Sequence, residues 1–301
     1  MQHNLRLEPF PHSTLVQDGE EMVLQGKEAV EWLRSLGVSK PADRYHSYLR
    51  AFDKFKDDNC DNETITKRFH DFVNAHAEIY ELVRVRSGLL QVDSQNYINT
   101  LKRISQGQPF RHIAENDPGR DYLFEMSIAA RLLKAGHEVD LNQIADVVAV
   151  VEGRRIYVEA KRVKSPAKLA SRVAEANAQL KKRLSRDTSS KSRGIVAINI
   201  TDVINPNCDT VILEREQDVR KHHSAEFNGF VTANPELFHK GEHSKCLGTL
   251  IESSWQGMIV SDENDPKIFY CRGATFKLYR LTQTDESFVR RVIPKLANQF
   301  A

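Results

Sequence analysis

Paired cysteines, long apolar runs and the glycine-rich signatures of nucleotide chemistry are all missing from these 301 residues. The four cysteines (Cys60, Cys208, Cys246, Cys271) lie far apart with no paired spacing. That excludes a disulfide framework and fits a reducing compartment. The longest uninterrupted aliphatic run, residues 147–151, is five residues, against roughly 20 for a membrane-spanning helix. The first ten residues, MQHNLRLEPF, lack the charged-then-apolar pattern of a secretory signal, so the expected location is the cytoplasm. No P-loop, no G-x-G-x-x-G and no G-x-S-x-G occurs, which leaves nucleotide-driven and serine-hydrolase chemistry without support. His239, His243 and Cys246, with His222 and His223 upstream, are zinc-ligand residue types. They lack the paired, regular spacing and the fourth ligand of a structural zinc site.

What is present is ordinary globular material: 40% hydrophobic and 28% charged residues, enough for a sizeable core in one or two domains. The net charge is only +2, but it is unevenly distributed. Residues 161–193 hold eleven Lys or Arg (161, 162, 164, 168, 172, 181, 182, 183, 186, 191 and 193) against Glu175 and Asp187, a local excess of nine. Clustered positive charge of this kind suits a phosphate backbone; a solvated helix face is the plainer account of the same run.

Apolar periodicity predicts helices over residues 27–36, 42–55, 64–85 and 94–104. The third carries Phe69, Phe72, Val73, His76, Ile79, Tyr80 and Val83 on one stripe. The turn-rich stretch 105–119 marks a boundary, dividing the chain into an all-helical N-terminal region (1–108) and a second unit (109–301). Residues 1–110 nearly balance their charge, with 14 basic against 16 acidic side chains, so the positive footprint belongs to the second unit. That unit begins with a helix over 120–135, preceded by Asp117-Pro118 as cap and first residue. Strands over 144–152 and 155–163 follow, separated by Gly153, then a helix over 167–184 and a strand over 194–200. Further strands are expected at 256–261 and 274–281, and no element is assigned between 208 and 249. The order predicts a mixed α/β fold, with helices packed on a small sheet.

The chemistry concentrates in residues 144–163, IADVVAVVEGRRIYVEAKRV. Alternation along the second strand puts Tyr157, Glu159 and Lys161 on one face and Ile156, Val158 and Ala160 on the other. A carboxylate and an amine on an otherwise apolar strand are costly unless partners or a metal satisfy them. Asp146 starts the preceding strand, and an antiparallel hairpin brings it beside Glu159. Two hard oxygen donors that converge with a side open to solvent suit Mg2+. Glu125 shares the stripe of Ile128, Ala129 and Leu132 on the helix before the hairpin, so a third carboxylate faces the sheet.

Asp146, then Glu159-Ala160-Lys161 thirteen residues on, flanked by helices in this order, resembles the PD-(D/E)XK nuclease superfamily. The resemblance spans residues 117–200, and Ala145 stands where the superfamily often has proline before the first acid. It implies a restriction-endonuclease-like core with Asp146 and Glu159 as metal ligands, Lys161 as catalytic lysine and Glu125 as the first-helix acid. Gln179 matches a site-facing glutamine that several branches carry on the second helix. The expected activity is Mg2+-dependent phosphodiester hydrolysis, with Mn2+ able to substitute, on DNA rather than RNA, in restriction, repair or phage defence. Arg172, Lys182 and Arg183 would hold the phosphate backbone without reading bases. The N-terminal helices would bind a protein partner or target the enzyme, and cutting both strands of a duplex suits a homodimer. The alternative is a protein of the same fold that binds nucleic acid or another protein without cutting.

Overall fold

In the computed structural model, which describes residues 7–9, 13–55, 61–91, 94–111, 117–140, 146–261 and 266–296, the chain starts as two short strands. These are β1 (Leu7–Pro9) and β2 (Ser13–Gln17), and both pair antiparallel with a strand near the other end of the sequence. The N-terminal region is therefore mainly helical but not all-helical, a correction that periodicity over so few residues could not supply. Four helices follow: α1 (Gly19–Ser35), α2 (Arg44–Phe55), α3 (Asn62–Leu89) and α4 (Gln95–Ile104). Asp18, Asp61 and Ser94 cap α1, α3 and α4 by accepting a backbone N–H in the first turn, which satisfies donors that the helix itself leaves unpaired.

The second unit reads α5 (Pro118–Lys134), β3 (Glu138–Asp140), β4 (Val147–Val151), β5 (Arg154–Arg162), α6 (Pro166–Leu184), β6 (Arg193–Asn199) and the single turn α7 (Thr201–Ile204). It continues with β7 (Val211–Leu213), α8 (Glu216–Ala233), the long strands β8 (Cys246–Ile259) and β9 (Lys267–Leu278), and α9 (Gln283–Val292). The stretch left unassigned between 208 and 249 thus holds β7 and α8. The expected strand start at Ile144 and Ala145, and Cys60, lie outside the described residues.

Among the described residues the strands form one mixed nine-stranded sheet ordered β1-β9-β8-β6-β5-β4-β3, with β2 also on β9 and β7 also on β8. β5 runs parallel to β6, and β6 parallel to β8. The crossover α6 makes the first of these parallel pairs possible. The β4–β5 connection is two residues, Glu152 (φ +48) and Gly153 (φ +72), the left-handed pair a tight hairpin with native twist requires.

Strand alternation then sorts the layers. Val147, Ala149, Ile156, Val158 and Ala160 pack on one face with Phe124, Ile128, Ala129 and Leu132 of α5. Val148 and Tyr157 pack on the other with Leu169, Val173, Ala176 and Leu180 of α6. The opposite side of α5 (Leu123, Met126, Ala130) joins the core of the helical region, which also reaches Met258, Ile268 and Tyr270 of the sheet. The division expected at 108/109 falls between α4 and α5, and this core runs across it. Where α3 meets α5 the backbones nearly touch: a Cβ on Gly88 would lie 2.6 Å from that of Ala130. Among the described residues, no helix is long and apolar enough to cross a membrane.

Candidate active site

The hairpin register sets the site. Val147 pairs with Val158, so the residue before it, Asp146, falls opposite Glu159. One Asp146 oxygen, Oδ2, accepts the backbone N–H of Ala160 at 2.8 Å, fixing the carboxylate beside β5. Lys161 Nζ stands 3.5 Å from Asp146 Oδ2 and 3.7 Å from Glu159 Oε2. The three residues that the sequence singles out are thus brought together on the α6 face of the sheet.

Burial differs sharply within this trio. Side-chain exposure is 18% for Asp146 and 19% for Lys161, but zero for Glu159. Glu159 lies under α6, with the Arg183 guanidinium against its Oε1. Neither Glu159 oxygen accepts a hydrogen bond of normal geometry among the described residues. A buried carboxylate left with ionic neighbours and no hydrogen bonds is an expensive arrangement.

Glu125 completes the acidic side from α5. It is half-buried, and burial first, then the charge of Asp146, pushes its carboxyl up to about 8, against the pull of Lys161. Gln179 is half-buried on α6 with Oε1 buried and unpaired among the described residues, which is not the environment of an exposed surface glutamine. Arg183 follows it by one helical turn, four residues on. The basic run in the sequence assigns Arg183 to the phosphate-binding surface, whereas the structure puts it at Glu159. The four-residue spacing from Gln179 is the signal that could have found this. Burial lowers the Arg183 guanidinium from its ordinary value, with Asp146 and Glu125 pulling the other way.

Arg172 and Lys182 lie exposed on α6, and Arg172 pairs with Glu175 at 2.8 Å. The histidines and cysteines downstream do not converge. His223 is buried, hydrogen-bonded through Nε2 to Ser253 Oγ at 2.8 Å. Cys246 is buried, its thiol pushed up to about 12 by that burial, and His239 faces Glu242 on the surface. Among the described residues no three of His, Cys, Asp and Glu group closely enough to hold a metal ion by themselves. Comparison with protein-family models, with curated proteins and with solved structures finds no match for this chain.

Proposed function

We propose that this protein is a Mg2+-dependent phosphodiesterase with a restriction-endonuclease-like core, cutting DNA rather than RNA. The observation that carries the reading is Glu159: wholly buried against Arg183, without a hydrogen bond of normal geometry among the described residues, and beside a second carboxylate and an ammonium on the solvent side. Two carboxylates without a third protein ligand fit Mg2+, which keeps several waters and takes its remaining oxygens from phosphate. Asp146 and Glu159 would hold the ion, and Mn2+ could replace it. Bound there, the ion would supply Lewis-acid polarisation of a phosphodiester oxygen and a more acidic water.

The side chains account for the rest. Lys161, held by both carboxylates, orients the attacking water and offsets charge that develops on the phosphoryl oxygens. Glu125, its carboxyl raised by burial and by the charge of Asp146, stands beside Asp146 from α5. Gln179 supplies a free carbonyl oxygen from α6. Arg172 and Lys182 hold the backbone along the exposed face of the same helix. The N-terminal helices direct the enzyme to its target or partner, and a homodimer would let it cut both strands. A role in restriction, repair or phage defence follows from the superfamily resemblance.

The test is incubation of the full chain with plasmid, linear duplex, single-stranded DNA and RNA in Mg2+, Mn2+ or EDTA. Cleavage should need the cation and fall by about 10²-fold or more in Asp146→Ala and in Glu159→Ala. Undiminished cutting by both folded variants would overturn the metal assignment. Salt-sensitive binding with no cutting under any cation would favour a non-cleaving nucleic-acid binder.

A further inference from the structure

On the α5 face of the sheet, one residue beyond Lys161, Arg162 points into a cavity of about 70 Å³ between α3, α5 and the strands. Its walls include Glu78, Arg111, Gln256, Phe124 and Tyr270. Four polar atoms of this wall are buried without a hydrogen-bond partner among the described residues: Arg111 Nη2, Arg162 Nη1, Gln256 Nε2 and Glu78 Oε2. Gln256 is 2% exposed and the Arg162 side chain 8%. Native proteins leave few such groups unpaired, and each one calls for an explanation.

The charges of the wall are already spent. Arg120 binds Glu78 at 2.6 Å, Asp202 takes both Arg111 at 3.0 Å and Arg162 at 2.8 Å, and Asp121 stands 3.8 Å from Arg162 Nη1, beyond hydrogen-bond reach. Glu81 pairs with Arg84 at 2.9 Å. A free anion would meet the unpaired carboxylate oxygen of Glu78, and a cation would meet two guanidinium groups. The unpaired set is three donors and one acceptor, lined by apolar ring surface from Phe124 and Tyr270. A neutral group that presents a C=O and an N–H side by side satisfies both kinds of atom. The volume, at roughly 10–15 Å³ for each water-sized atom, takes about five to seven such atoms, which is the amide edge and most of the ring of a six-membered heterocycle whose far edge stays at the open mouth.

We propose that this cavity binds a small neutral ring bearing a cis-amide edge, of which the keto-amide edge of uracil or thymine is the biological example. The two C=O groups that flank the N–H of such a ring share the donors of Arg111, Arg162 and Gln256, and the N–H donates to Glu78. The proposal does not depend on the nuclease reading, because it concerns the opposite face of β5.

The experiment uses the full chain and ligand-observed NMR with uracil as probe. The controls are 1,3-dimethyluracil, which keeps the ring but has neither N–H group, and inorganic phosphate. Uracil should bind with a Kd on the order of 1 mM, ordinary for so few atoms, and the two controls should not. Gln256→Met removes one buried donor without leaving a partner exposed, so the unliganded chain should melt at the same temperature or higher. It should weaken uracil binding about tenfold. Competition by oligo-dT would identify a base within a polymer as the source, and its absence would identify a free base; both outcomes support the site. Equal binding of 1,3-dimethyluracil, preference for phosphate, no binding of any probe, or unchanged uracil affinity in Gln256→Met would each overturn it.

Discussion

Lys161 and Arg162 are consecutive, but β5 sends them to opposite faces of the sheet and into opposite circumstances. On the α6 side, Lys161, Arg183, Asp146 and Glu159 crowd together, while Glu159 accepts no hydrogen bond of normal geometry among the described residues. On the α5 side, Arg162 joins a dense ion network in which Arg120 alone donates to Glu78, Asp117, the Tyr48 hydroxyl and the carbonyl of Pro109. Burial, the largest influence on Glu78, pushes its carboxyl up, yet Arg120 and Arg44 hold it below the ordinary glutamate value. Both faces bury charge, so buried charge alone does not mark a reactive site. The distinction lies in how far the lone pairs are satisfied: one Glu78 oxygen accepts from Arg120, whereas neither Glu159 oxygen accepts a hydrogen bond of normal geometry among the described residues.

The sharpest way to break this comparison is to remove one charge from each face. Arg120→Met strands Glu78 in the interior, while Asp117 keeps Arg44 at 3.3 Å, and should cost about 3–5 kcal/mol, read as a large fall in the urea midpoint. Glu159→Gln leaves Arg183 and Lys161 without that carboxylate but keeps both partly exposed cations within reach of water, so its midpoint should fall by less than that of Arg120→Met even as cleavage is lost. If Arg120→Met were tolerated and Glu159→Gln unfolded the chain, the roles of the faces would be reversed.

A smaller effect sharpens the account of the helical side. His76 on α3 is fully buried with neither ring nitrogen hydrogen-bonded among the described residues, and burial alone pushes it down to about 3. Its folded-state value lies below the unfolded one of about 6.5, so the unfolded chain binds more protons between them. Its contribution is intact above about pH 6.5 and is lost as the pH falls toward about 3. At pH 5 the loss should be about 2 kcal/mol. Urea midpoints of the parent chain and His76→Leu should therefore diverge from pH 7 to pH 5, with the variant less acid-sensitive; parallel profiles would contradict the assignment.

The smallest expected change concerns the exposed face of α6. Arg172→Glu and Lys182→Glu together should alter stability by no more than about 0.5 kcal/mol. They should flatten the dependence of log K for duplex DNA on log salt by about 0.9 for each phosphate that is no longer neutralised. Arg183 does not belong in that pair, because it touches Glu159. An unchanged slope would make the exposed basic residues a solvated surface and leave only the site side of α6 functional.

Much of this arrangement is legible before any coordinates. The stripe on α3, the cap at Asp117, the hairpin turn at Gly153 and the pairing of Asp146 with Glu159 all follow from period and turn chemistry. The long strands β8 and β9 are visible only at one end, near 256–261 and 274–281, although they span 14 and 12 residues. Their inward positions include Glu252, Gln256 and Arg272, which break the apolar alternation that marks a strand. They are buried because α5 supplies Arg131 to Glu252 and α3 supplies Glu81 to the Tyr270 hydroxyl, pairings between segments 121 and 189 residues apart. Helix α8 hides for a related reason: Val219, His223, Phe227 and Val231 are its buried stripe, thinly spread through a polar sequence. The site fails to read through only at Arg183, where a basic run looks like surface and one of its members turns inward.

Gly88 gives the molecule a tolerance in the engineering sense. The fit between α3 and α5 has less clearance than a single methyl group, and a packed interior transmits strain rather than absorbing it. The helix that carries Glu125 to the site is thus gauged against α3 by an absent side chain. A thicker shim at position 88 would be felt at a carboxylate more than one turn beyond the point of contact. Selection acting on the helical layer can in this way set the alignment of a site to which that layer contributes no residue.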